Sequence, residues 1–262
     1  MSFISDFKSS PISLFGVNGG VTSSDQSLAT LVGARFQSDN GREFVLIQNA
    51  GTALASGRLV QGPVTIGANH TNLTCATAAI GATQLTVTLG GTAATANQYQ
   101  GGYVVINAGT GVGQTLKIAS HPAQTSTSGT LVLTLEDPLS VATAVADSKA
   151  TLQLNPYGSP NGADFRTSGC VVCPTTLTGP VIGVTAYPIP ATSTTVLSYG
   201  FIQTKGVVGC LNDAGTAIGL DLMHSTNTAG AVMTYVVATS GRVGTSHVAG
   251  VTTEVRPITI QL

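Results

Sequence analysis

Charge is what this chain has least of: lysine, arginine, aspartate and glutamate make up 8% of its 262 residues, against about 25% in ordinary soluble domains. The ten bases and eleven acids leave a net charge of −1. No cluster of bases occurs that could neutralise a phosphate backbone, so nucleic acid is excluded as an expected partner. Tryptophan is absent and aromatics reach only 5%, too few for the aromatic girdles of a membrane barrel. The longest uncharged runs, between Arg58 and Lys117 and between Arg166 and Lys205, are broken throughout by Gly, Pro, Asn and Gln. Neither reads as a membrane helix, and Met1 to Lys8 lacks the apolar core of a signal peptide. No membrane partner and no export are therefore expected.

Helical periodicity is also missing over almost the whole chain. In its place, short Val, Ile, Thr and Leu runs alternate with Gly, Asn, Pro and Ser, which is the pattern of an all-β protein. Strands are expected at Phe44 to Gln48, Arg58 to Ile66, Gln84 to Leu89, Tyr103 to Asn107, Gln114 to Ala119, Thr130 to Leu135, Val196 to Lys205, Val207 to Asn212, Val232 to Ala238 and Glu254 to Leu262. One short helix is expected, at Ser140 to Lys149. Threonine is abundant, with 38 residues. In Leu85 to Leu89 and Leu131 to Leu135 it mostly alternates with apolar residues, so that one face packs and a neutral hydroxyl face meets water or a partner. So little charge gives a free monomer little protection against association, and suits a subunit of a larger assembly.

The composition points to an antiparallel sandwich or barrel fold with three parts. Residues 1 to 40 read as an extended N-terminal arm, with Phe3, Phe7, Phe15 and Phe36 spaced too far apart to bury one another. Residues 41 to 155 form a β-rich region holding the long uncharged segment, and residues 156 to 262 a C-terminal β domain. Asn155 to Gly162 carries the strongest loop signal between them.

Candidate chemistry is thin. Cys170 and Cys173 flank Val171-Val172, which reads as a short strand rather than the helix start that activates a redox thiol. Cys75 and Cys210 are remote in sequence, and His70, His121, His224 and His247 stand singly, so no metal ligand set is evident. The four cysteines are expected to be buried free thiols. Gly109-Thr110-Gly111-Val112-Gly113 is followed by a strand pattern, Gln114 to Ile118, so it reads as a hairpin turn and not as a dinucleotide loop, which must open a helix. Asn212-Asp213 and Asp221 lack the dense oxygen alternation of a calcium loop. No catalytic residue, cofactor or metal is expected, and the chain is not read as an enzyme.

Four strings carry a family resemblance: Gly101 to Thr115 (GGYVVINAGTGVGQT), Ser120-His121-Pro122, Asn155-Pro156-Tyr157 and Tyr199 to Gly206 (YGFIQTKG). They resemble tailed-bacteriophage structural proteins of the capsid decoration, or cement, type, over most of the chain from Gly41 onward. Where the family pattern has an aromatic after the Gln-Thr pair, this chain has Lys205. The resemblance implies a β-rich head protein made in the host cytoplasm, bound over the major capsid protein on the virion surface and commonly trimeric, with no catalytic residues. On that reading Phe3, Phe7 and Phe15 become the candidate capsid-contact arm. The alternative is a head fibre or tail-associated receptor-binding protein, which would call for a fibrous repeat that the sequence lacks. A bacterial adhesin would need export.

Overall fold

A computed structural model describes residues 20–23, 28, 31–38, 40–64, 67–125, 128–159, 168–213, 216–236 and 241–262. Among these, regular structure is almost entirely β, organised as a closed barrel inserted into a larger twisted sheet.

The barrel is built from β5 (Leu73–Cys75), β6 (Gln84–Thr88), β7 (Tyr103–Ala108), β8 (Thr115–Ser120), β9 (Thr130–Leu135) and β10 (Lys149–Gln153). It closes in the order β10, β5, β6, β9, β8, β7, with every pairing antiparallel. Period-two patterning decides which residues point inward. Leu85 and Val87, Val104 and Ile106, Leu116 and Ile118, and Leu131, Leu133 and Leu135 all fill the interior, each burial being worth about 1.5–3 kcal/mol. The outward positions on the same strands are hydroxyl-rich: Thr74 pairs with Thr88, which pairs with Thr130, and Lys149 Nζ donates to Thr74 Oγ1 at 2.8 Å.

The Gly109 to Gly113 segment is the β7–β8 hairpin turn, with Gly109, Gly111 and Gly113 at φ of 75°, 84° and 93°. The expected helix at Ser140 to Lys149 does not form. Thr143 instead exchanges backbone hydrogen bonds with Ala78, and its hydroxyl donates to the Ala76 carbonyl at 2.8 Å. Ser148 Oγ accepts the Ala144 N–H and donates to the Thr110 carbonyl. These local hydroxyl bonds outcompete a helix that has little apolar periodicity to anchor it.

The larger sheet is organised on β13 (Leu197–Asn212), 16 residues long and so roughly 50 Å in extent. Tyr199 and Gly200 lie between β1 (Gly20–Ser23) and β3 (Glu43–Gln48). Ile202 and Gln203 lie between β3 and β12 (Val181–Thr185), and β2 (Arg35–Gln37) extends the sheet beyond β3. Farther along, β13 pairs with β15 (Ala231–Thr234), β15 with β14 (Asp221–His224), β14 with β16 (Gly244–Ser246), β16 with β17 (Val255–Gln261), and β17 again with β13. This second ring of five strands encloses Val208, Cys210, Leu222, Val232, Val243, Ile258 and Ile260.

The two strands expected on either side of Gly206 are thus one strand, with a register irregularity at Gln203 to Lys205 and Gly206 at φ 91°. Residues 20–23 and 35–37, within the segment read as an arm, pair in this sheet, and Phe36 packs edge-on against Phe201 with ring centroids 4.9 Å apart.

The barrel leaves the sheet after β4 (Leu59–Gln61) and returns through β11 (Val171–Val172), which pairs directly with β4. Strands β3 and β4 precede the barrel yet pair with strands that follow it. The sheet therefore draws on both flanks of the barrel, whereas the sequence reading places residues 41–155 and 156–262 in separate units. The 155–159 segment forms the joint: the Tyr157 carbonyl accepts the Gln48 N–H, and Ser159 Oγ donates to the Gln98 carbonyl at 2.7 Å.

Candidate interaction surfaces

The barrel has two unlike ends. Its outer end is formed by the β5–β6, β7–β8 and β9–β10 loops, which bond to one another. Gly81 N donates to the Leu139 carbonyl, Val145 N to Thr77 Oγ1, and the Gln114 side-chain amide to the Gly111 and Val141 carbonyls. Gln114 Oε1 in turn accepts the N–H groups of Ser140 and Val141. The loops are thereby fixed, and they hold Ile80, Val112, Val141 and Val145 in solvent at 69%, 62%, 47% and 59% exposure. Bases are absent from these loops, and two of their three acids are engaged: Glu136 pairs with Lys117 at 2.9 Å, and Asp147 accepts the backbone N–H and hydroxyl of Thr110. The sequence reading missed this surface because each apolar residue stands alone among Gly, Ala and Thr, and only barrel closure gathers them.

The inner end, facing the joint, holds a polar group that the sequence also kept apart. Tyr99 and His70 are fully buried and His121 is 4% exposed. Tyr99 and His70 are hydrogen-bonded through the hydroxyl and Nδ1, while His70 Nε2 donates to the Thr92 carbonyl at 2.8 Å. His121 Nε2 accepts the Tyr99 backbone N–H at 2.9 Å, and its Nδ1 donates to the Pro122 carbonyl at 2.8 Å. Burial holds the His121 imidazole below its usual range, and burial pushes the Tyr99 phenol well above its own. With these side chains buried and every ring nitrogen hydrogen-bonded, the group ties the 67–72, 89–102 and 121–125 segments together.

The remaining candidates are held in core packing or in local hydrogen bonds. Cys75 lies in the barrel core, Cys173 and Cys210 in the cluster around Val208 and Ile258, and Cys170 in a third cluster with Val45 and Ile202. Burial pushes the Cys75 thiol up to about 11 and those of Cys173 and Cys210 up to about 12. Among the described residues no three His, Cys, Asp or Glu side chains converge as a metal site. The Asp213 carboxylate is taken up by Ser225, Thr228 and Asn227, whose hydrogen bonds hold it below the usual carboxylate range. Asp221 instead pairs with Arg242 at 2.8 Å on the surface.

Phe3, Phe7 and Phe15, the candidate capsid-contact residues, lie outside the described residues. A second exposed apolar group sits where Thr216 bridges to Gly250, with Ile218 at 70% and Val251 at 56% exposure. No family model, curated protein or solved structure matches the chain.

Proposed function

We propose that this chain is a virion structural protein, a capsid decoration or cement protein that binds over the major capsid protein of a tailed bacteriophage, self-associates as a trimer and stabilises the head. The observation that carries this reading is the outer end of the barrel: four large apolar side chains held in solvent by loops that brace one another. Rigid apolar patches of this kind mark contact surfaces more often than chance exposure does. A charge-poor exterior supports the same conclusion, since it favours a subunit that lives in an assembly. Affinity then comes from apolar contact and from backbone and threonine hydrogen bonds, with Phe3, Phe7 and Phe15 of the N-terminal segment as additional anchors.

The test is to add the purified protein to undecorated capsids assembled from the major capsid protein of the same phage, and to image the particles by cryo-EM. Extra density over the capsid lattice with threefold symmetry is expected. Bare capsids would overturn the assignment, and immunogold labelling of tails or fibres on native virions would move it to a receptor-binding role.

A further inference from the structure

Beside the joint between barrel and sheet stands a histidine with both ring nitrogens hydrogen-bonded. His121 has both ring nitrogens committed to backbone groups: Nδ1 lies 2.8 Å from the Pro122 carbonyl, which can only accept, and Nε2 lies 2.9 Å from the Tyr99 N–H, which can only donate. That pair of partners fixes the neutral Nδ1–H tautomer, because a proton on Nε2 would face another N–H. His70 differs, since its Nδ1 partner is the Tyr99 hydroxyl, which can reverse its role as donor or acceptor.

Among the described residues, the surroundings offer an imidazolium no carboxylate in compensation. The Tyr99 ring lies 5.8 Å from the His121 ring and 5.6 Å from that of His70, centroid to centroid, and His70 opposes a positive charge on His121. The described segments at this end, 67–72, 89–102, 121–125, 128–129 and 154–159, contain no Asp, Glu, Lys or Arg. Arg35, which donates to the Tyr157 hydroxyl of the 155–159 segment, is a cation and brings no compensating charge. Lys117, on the strand that leads to His121, is paired with Glu136.

The residues held by His121 are the ones that carry the joint. The Asn97 N–H donates to the His121 carbonyl, and the His121 N–H donates to Asn97 Oδ1. Between Asn97 and Tyr99 sits Gln98, whose carbonyl accepts the Ser159 hydroxyl from the 155–159 segment. Gly101, two residues beyond Tyr99, packs against the Asn155 side chain.

We propose that His121 is an acid-sensitive latch: its protonation breaks the Tyr99 N–H bond, frees the 97–102 loop, and releases the barrel from its seat against the 155–159 segment while both cores stay folded. The sign follows from the bonding. The latch is fully closed at and above neutral pH, and opens as pH falls below the ordinary histidine range, where a free imidazole would take up the proton.

The test is hydrogen exchange of the Tyr99 amide and of the 154–159 backbone, expressed as protection factors between about pH 7.5 and pH 4.5, in the intact protein and in His121→Gln. Glutamine offers an oxygen to the Tyr99 N–H and does not titrate. The wild type is expected to lose at least about tenfold of its Tyr99 and 154–159 protection over that range, one pK unit of coupling being tenfold, while protection in the strands of both cores persists. H121Q keeps its protection. Equal loss in the variant, or retained protection in the wild type, overturns the latch. Should H121Q not fold, imidazole 15N shifts of the wild type decide the matter. Protonation of His121 must coincide with the loss of Tyr99 protection, and protonation without that loss overturns the proposal.

Discussion

Gln203 reaches across Gly206: its side-chain amide donates to the carbonyls of Lys205 at 2.9 Å and Val207 at 3.0 Å, on either side of the glycine. This bridge carries β13 through a bend without ending it, so one strand serves both halves of the sheet. The glycine is required, because a Cβ at φ 91° would sit 3.0 Å from Arg42 Cγ and 3.3 Å from its Cα. Gly206→Ala is therefore expected to cost about 1–2 kcal/mol from the left-handed conformation alone, read as a drop in the urea midpoint. Gln203→Ala is expected to cost about 1–3 kcal/mol through the two carbonyls it abandons.

The same residues show what a sequence can and cannot carry. Alternation in Leu131 to Leu135 or Gln84 to Leu89 is a direct imprint of one buried face, and those strands appear where expected. Gly206, by contrast, reads as a break, because nothing in the local sequence reveals that a side chain three residues away will span it. Strand β16, Gly244-Thr245-Ser246, has no apolar residue and exists only through its pairing with β14 and β17. The Thr259 carbonyl lies 2.1 Å from where a Cβ on Gly244 would sit, so the glycine reports tertiary contact rather than propensity. The insertion of the barrel between β4 and β11 is a long-range fact of the same kind, and so is the meeting of His70, Tyr99 and His121.

Asp213 gives a stability prediction with a definite pH sign. Its carboxylate is held below the ordinary range by the hydroxyls of Ser225 and Thr228 and the amide of Asn227, so its contribution is present above that range and is lost as pH falls through the depressed value. Asp213→Asn should lower the thermal midpoint at pH 7. The gap to the wild type should narrow in acid, as measured by calorimetry across a pH series; a constant gap would show that the charge is not what holds the 225–228 turn.

The cysteines should be silent in the folded protein. With their thiols buried and raised well above neutral, thiolate is scarce and access is closed. Iodoacetamide at pH 8 should label none in the native state and all four after denaturation without reductant. Labelling of only two after denaturation would reveal a disulfide.

The most direct test of the proposed role is co-sedimentation with undecorated capsids across salt concentrations, comparing the wild type with an Ile80→Asp, Val112→Asp double variant. The ion pairs of the described residues all lie on the surface, where each is worth no more than about 1 kcal/mol. Contact through the apolar barrel end therefore predicts that wild-type protein stays on the particles from low salt to about 1 M, where charge interactions are screened within about 3 Å, while the folded double variant stays in the supernatant. Release of the wild type by salt, or undiminished binding of the double variant, would contradict attachment through this surface. Failure of the wild type to sediment at any salt concentration would contradict capsid decoration itself.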